Sequence, residues 1–170
     1  MKIGIISDTH KKLKKATYAI DTLVADGAEF LIHAGDIVEK EVLELLKKST
    51  LRYIAVYGNN DAHLLEFDSE FNLVVEPYYF KLGGKTFKLM HLPYFLTPDV
   101  DIVIFGHTHV QNIELDGKTL FLNSGEVCAR DSDISSWMML ELTKDEYIIT
   151  SYTKEKKSQT LQRATKRFKV

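Results

Sequence analysis

The chain has 170 residues, 45% of them apolar and 27% charged, with a net charge of −2; it is long enough to bury one sizeable core and too acidic overall to coat nucleic acid by charge alone. Its single cysteine, Cys128, excludes an internal disulfide framework and fits a reducing compartment. No apolar run nears the ~20 residues of a membrane-spanning helix, and the opening MKIGIISDTH carries no signal-like apolar stretch, so a cytoplasmic protein without membrane association is expected.

Residues 2–6 are a short apolar, β-branched run, which predicts a buried strand ending at Ser7-Asp8. Residues 13–24 then place Leu13, Ala16, Thr17, Ile20, Leu23 and Val24 at helical spacing. Residues 29–33 predict a second strand, closed by Ala34-Gly35-Asp36, and residues 38–46 a second helix with a broad apolar face. Residues 51–57 predict a third strand, closed by Gly58-Asn59-Asn60-Asp61. This β-α-β-α-β order implies parallel strands joined by right-handed crossovers.

The second half reads differently. Residues 74–82 and 86–91 flank Gly83-Gly84, and residues 111–115 and 119–123 flank Asp116-Gly117; both are hairpin signals. Residues 101–105 predict a short buried strand ending at Gly106, and residues 136–142 and 147–152 predict a third hairpin. The expectation is one α/β (α+β) domain, residues 1–152, whose first half is α/β and whose second half is antiparallel. Two β-sheets pack face to face and are flanked by helices. Residues 153–170 carry seven Lys or Arg against Glu155 alone. They read first as a solvated basic tail with a helix over residues 159–168. The other readings of this stretch are a phosphate-attracting arm and a homo-oligomer contact.

The chemistry lies in where the polar residues fall. Asp8 and His10, Asp36, Asn59, His91, and His107 with His109 each follow an apolar, strand-like run. Core packing gains nothing from polar groups after five separate strands. Parallel strands, however, bring their carboxyl ends to one edge, where α/β proteins bind ligands. Carboxylates gathered there repel one another and are costly to bury unpaired, and cations remove that cost. Mixed imidazole and carboxylate donors suit Zn, Mn, Fe or Ni better than Ca or Mg. The donors outnumber what one four-coordinate ion uses, so two divalent metal ions are expected, with Asp36 on the middle strand as the bridge.

The ordered series Asp8-Thr9-His10, Gly35-Asp36, Gly58-Asn59-Asn60-Asp61, His91 and Gly106-His107-Thr108-His109 resembles the calcineurin-like metallophosphoesterase superfamily. Its short length and Gly-Asn-Asn-Asp motif are similar to the small YfcE-like phosphodiesterase branch, over nearly the whole chain up to about residue 152. The resemblance implies a four-layer sandwich and a dinuclear centre, with Mn as the expected metal and Ni, Zn or Fe as alternatives. One ion would be held by Asp8, His10, Asp36 and His109, and the other by Asp36, Asn59, His91 and His107. Asp36, Asn59 and His91 would also serve catalysis, a hydroxide bridging the ions would attack phosphorus, and the substrate would be a small phosphodiester. Both imidazoles of His107-Thr108-His109 are expected to face the centre by the alternation of an extended segment. The same fold also resembles the Vps29-like retromer scaffold, whose catalytic ligands are degraded; a protein-interaction role with little or no catalysis is therefore the alternative. The nuclease branch of the superfamily carries long additional regions, so specific nucleic-acid binding is not expected here.

Two positions depart from the pattern. Larger superfamily members carry a histidine where this chain has Asn60, leaving the leaving-group acid to Asp61, His63 or bulk water. The fourth motif reads His91-Leu92-Pro93 instead of His-Gly-His, and the short, helix-free stretch to Gly106 predicts a more open cleft, which Tyr94 and Phe95 would line. His33 is expected to be a core histidine behind the site and Cys128 a buried apolar residue. Asn123-Ser124-Gly125-Glu126 is read either as shaping the site or as only a turn.

Overall fold

A computed structural model describes the whole chain, residues 1–170. It begins β1 (Lys2–Ile6), α1 (Leu13–Ala25), β2 (Phe30–His33), α2 (Lys40–Lys48) and β3 (Arg52–Val56). A 3₁₀ helix (Ala62–Glu70) and the short β4 (Leu73–Val74) follow. Then come β5 (Tyr78–Leu82), β6 (Lys85–Leu89), β7 (Ile102–Phe105), β8 (Gln111–Asp116) and β9 (Thr119–Ser124). The chain closes with β10 (Ile134–Leu142), β11 (Glu146–Glu155) and β12 (Gln162–Lys169).

Seven strands form one sheet in the order β12-β11-β10-β1-β2-β3-β4, and five form the other in the order β5-β6-β7-β9-β8. In the first, β1, β2, β3 and β4 run parallel, as the βαβ pattern requires, while β10 pairs antiparallel with β1. Ile3, Ile5, Ile32, Ile54, Leu89, Ile104, Leu122 and Met138 meet between the sheets as one apolar core. The alternate residues of the seven-stranded sheet, including Ile6, Leu31 and Met139, face Ala19, Ile20 and Leu23 of α1 and Val42, Leu43 and Leu46 of α2. Each such buried aliphatic side chain contributes about 1.5–3 kcal/mol relative to exposure. Glu41 in the first turn of α2 and Lys47 and Lys48 in its last complement the helix dipole.

On the outer face of the five-stranded sheet lie Met90, Val103, Phe105 and Phe121. No α-helix covers them; the fourth layer is the loop between β6 and β7, fastened by Lys88. Lys88 alternates with the inward Phe87 and Leu89, so its stem points outward, and it is fully buried. Its Nζ donates to the carbonyls of Phe95 and Thr97, each at 3.1 Å, and to Thr97 Oγ1 at 2.6 Å, and it pairs with Asp99.

Three expectations need correction. The run 74–82 is two strands in different sheets, because Pro77 has no N–H for a ladder and interrupts it. The second half is not wholly antiparallel: β6, β7 and β9 run parallel. Asp101 at the start of β7 accepts the Thr86 N–H at 2.7 Å and the Thr86 hydroxyl at 2.6 Å, which starts β7 beside the start of β6. Finally, residues 153–170 are not a tail with a helix. β11 continues to Glu155, and β12 pairs along it from Tyr147↔Phe168 to Thr153↔Gln162 as a charged edge strand. No helix is long and apolar enough to cross a membrane.

Candidate metal centre

The seven predicted residues converge at one edge of the sandwich, and the topology explains why. β1, β2 and β3 end side by side in one sheet, β6 and β7 in the other, and the loops that follow them meet. Asp8 N donates to Gly35 O at 3.0 Å and His10 N to Asp36 O at 3.0 Å, tying the first loop to the second. Two glycines permit close approaches between these loops: a Cβ on Gly58 would collide with the Asp36 backbone, and one on Gly106 with Ser7 Oγ and Ala34 O.

Asp8, His10, Asp36 and His109 each offer one donor atom, and these atoms all lie within 4.8 Å of one another. His10 Nε2 is 3.5 Å from Asp36 Oδ2, and His109 Nε2 is 3.0 Å from Asp8 Oδ1. On the other side of Asp36, His91 Nε2 lies 3.5 Å from Oδ1 and 3.0 Å from Asn59 Oδ1, and His107 Nδ1 lies 3.1 Å from the same Asn59 oxygen. Asp36 is thus the one residue common to both groups. His91 Nδ1 donates to Ala34 O at 2.9 Å, which turns Nε2 toward two oxygens, Asp36 Oδ1 and Asn59 Oδ1. Asp8 Oδ1 and His10 Nε2 are buried without a well-directed hydrogen bond. Buried acceptors facing one another are costly, and a donor set of carboxylate oxygens, imidazole nitrogens and an amide oxygen fits divalent transition metals.

The backbone is unusual at these positions. Asp8, His10, Asp36, His107 and His109 all have positive φ, between 42° and 67°. This corrects the reading of His107-Thr108-His109: the segment is a turn, with Thr108 N bonded to Gly106 O at 2.8 Å, and left-handed φ rather than strand alternation aims the rings.

Electrostatics follow the geometry. Burial pushes the Asp8 carboxyl up, but the close His109 ring, the 2.6 Å bond from Ser7 Oγ and the neighbouring His91 hold it below the usual range. Burial lowers His10 against the pull of Asp36. Asp8 raises His109, whose other nitrogen is 2.8 Å from Asp131 Oδ2 and 3.2 Å from Glu126 Oε2. Burial would raise Glu126 as well. The Cys128 thiol and the N–H groups of Ser132, Arg130 and Asp131 outweigh burial and hold the carboxyl at about 2.

Several residues support the cluster from behind, and of the two readings of Asn123-Ser124-Gly125-Glu126 the structure favours the one that shapes the site. Asn123 Nδ2 donates to Gly106 O at 2.8 Å and to Thr108 Oγ1 at 3.0 Å, so the segment after β9 props the His107 turn. Glu126 and Asp131 stand behind His109, and Ser7 behind Asp8; only the position of Asn123 at a strand end on the same edge hinted at this. Asp61 is not placed as an acid: it is buried and accepts the N–H groups of Ile37, Val38 and Gly58 at 2.8–3.0 Å. His63 Nε2 bonds Val38 O at 2.7 Å, outside the cluster. His33 is a core histidine, linked by Nε2 to Thr9 Oγ1 at 3.0 Å, and burial lowers it to about 3. Burial, then Glu126, pushes the Cys128 thiol up to about 12, where it is no nucleophile. Tyr94 and Phe95 are exposed on the loop after His91.

The chain is similar to several known proteins. Phosphodiesterase MJ0936 of Methanocaldococcus jannaschii is 30% identical over 160 residues, 86% of this chain and 96% of that protein. Phosphodiesterase YfcE of Escherichia coli K12 is 25% identical over 148 residues, 75% of this chain and 79% of that one. In fold, Vacuolar Protein Sorting 29 from Cryptosporidium parvum superposes with a TM-score of 0.80 at 21% identity, covering 99% of this chain and 98% of that one. The family model for the calcineurin-like phosphoesterase superfamily domain matches residues 1–145, from β1 to the turn before β11. With that match reaching into both sheets and covering every loop of the cluster, the chain belongs to the calcineurin-like phosphoesterase superfamily.

Proposed function

We propose that the protein is a phosphodiesterase whose site holds two divalent metal ions, Mn first among the candidates and Ni, Zn or Fe as alternatives. The observation that carries this reading is the cluster around the buried Asp36: Asp8 Oδ1 and His10 Nε2 lie buried without a well-directed hydrogen bond on one side, and the buried His91 Nε2 faces Asp36 Oδ1 and the exposed Asn59's Oδ1 on the other. Asp8, His10, Asp36 and His109 would hold one ion and Asp36, Asn59, His91 and His107 the other. Bound ions would offset the carboxylates, polarise phosphoryl oxygens and lower the pKa of water at neutral pH.

The chain's own residues do the positioning. Ala34 O fixes the His91 tautomer, and Glu126 with Asp131 orients His109. Asn60 donates to both oxygens of Asp36. In hydrolysis the water oxygen bonds phosphorus, one ester P–O bond breaks, and the departing oxygen takes a proton. No histidine stands at Asn60 to supply that proton, which favours diesters with good leaving groups over monoesters.

The test is turnover of bis-p-nitrophenyl phosphate by the full chain supplied with Mn, Ni, Zn or Fe, together with elemental analysis. Metal-dependent nitrophenol release and about two metal equivalents per chain are expected; neither metal nor turnover would sink the reading. The likeness in fold to Vacuolar Protein Sorting 29 supports a scaffold role as the second reading. The same assay separates them, because a scaffold needs no turnover.

A further inference from the structure

A cavity of about 630 Å³ opens beside the candidate metal centre, with His10 and Asn60 on its wall. Its remaining polar lining is cationic: Lys11, Lys12, Lys15, Arg130 and Lys156, with no acidic side chain among them. A second cavity of about 240 Å³ shares Lys15 and Lys156 with the first and is also lined by Lys14, Lys154, Tyr18 and one acidic residue, Glu155. Lys15 and Lys156 wall both cavities, so the two adjoin as a basic groove beside the cluster and the first turns of α1. For a chain of net charge −2, this is a strong local excess of cations.

We infer that the groove binds a short single-stranded oligonucleotide, with phosphates flanking the scissile diester on Lys12, Lys15 and Lys156 and a base on Tyr18. This rests on the phosphodiesterase reading and names its substrate class. One additional phosphate would need only one or two of these cations. A groove continued through shared lysines into a second, aromatic-ended cavity fits a repeating polyanion with flat bases, as single-strand sites combine a basic track and stacking platforms. Lys14 and Tyr18 stand four residues apart and Lys15 and Tyr18 three, so they share a helix face. Tyr18 is 40% exposed, is held edge-on by Trp137 with centroids 5.9 Å apart, and has Lys154 Nζ 5.2 Å from its ring centre. Lys11, Lys12 and Lys14 form no ion pair. Arg130 and Lys156 pair only with the exposed Asp131 and Asp133, at 3.2 and 3.5 Å, and such surface pairs exchange readily for phosphate.

Fluorescein-labelled oligothymidylates of two, four and eight nucleotides, titrated by anisotropy into the full chain with EDTA present, read the groove without cleavage. Affinity is expected to rise about tenfold from two to four nucleotides. The log Kd against log salt slope should steepen by roughly 0.7 per phosphate neutralised. The double variant Lys12→Ala/Lys156→Ala should flatten that slope, and Tyr18→Ala should weaken four-nucleotide binding about tenfold. In the metal-loaded enzyme, kcat/KM for a tetranucleotide relative to bis-p-nitrophenyl phosphate should fall at least about tenfold in the double variant. A flat length series, or a salt slope untouched by the double variant, overturns the inference while leaving bis-p-nitrophenyl phosphate turnover intact. Loss of that turnover in the unmodified, metal-supplied chain overturns the phosphodiesterase reading instead.

Discussion

Asn60 grips Asp36 twice: its side-chain Nδ2 donates to Asp36 Oδ2 at 2.7 Å and its backbone N–H to Oδ1 at 3.0 Å. The carboxylate that joins the two halves of the cluster is thus oriented by the residue that replaces the histidine of larger superfamily members. Restoring that histidine should exchange orientation for proton donation. In Asn60→His, kcat/KM for a diester with a poorer leaving group, such as diphenyl phosphate releasing phenol, is expected to rise about tenfold or more relative to bis-p-nitrophenyl phosphate. A ratio that does not move would mean the position carries no acid role in this fold.

Gly58 touches the Asp36 backbone where a methyl group has no room. Gly58→Ala should cost about 1–3 kcal/mol by overpacking and displace Asp36 with it. Thermal unfolding should show a lowered Tm, and metal content per chain should fall. A variant that keeps both would show that the loop relaxes freely.

Lys88 is buried, and its hydrogen-bond and ion-pair partners all lie on the loop between β6 and β7. Lys88→Met keeps the stem but leaves two carbonyls and Asp99 without their donor. The expected loss is about 3 kcal/mol, with proteolytic nicking between residues 92 and 100 appearing before global unfolding. Cleavage elsewhere first would show that Lys88 is not the fastener.

His33 titrates at about 3 in the folded chain, because burial disfavours its charged form, against about 6.5 when unfolded. Between those values the unfolded state binds the extra proton. The stabilisation is therefore whole above pH ~6.5 and is lost as pH falls toward 3. Urea midpoints should rise from pH 4 to pH 7, and the rise should be shallower in His33→Gln. Equal slopes in the two proteins would assign the acid sensitivity to other groups.

Much of this was legible because apolar runs announce buried strands and a polar residue just after each run announces the edge where they end. Asp8, Asp36, Asn59, His91 and His107 were found that way. The direction of β7 was not, since a lone buried strand carries no sign of its partner; the Thr86–Asp101 contact that sets it joins residues 15 apart. β12 escaped because Gln162–Lys169 is an exposed edge strand in which only Phe168 reaches the core, so no apolar alternation marks it. Asp131 was hidden for another reason. It acts through His109, and a carboxylate that supports a ring has no fixed spacing from it.

Five non-glycine residues with positive φ point their side chains into one space, and left-handed backbone at such residues costs about 1–3 kcal/mol each. The Cα–Cβ directions there are set by the main chain before any rotamer is chosen. The site therefore behaves as a mould: its outline is cast when the sandwich folds, and whatever enters meets a backbone already bent to receive it.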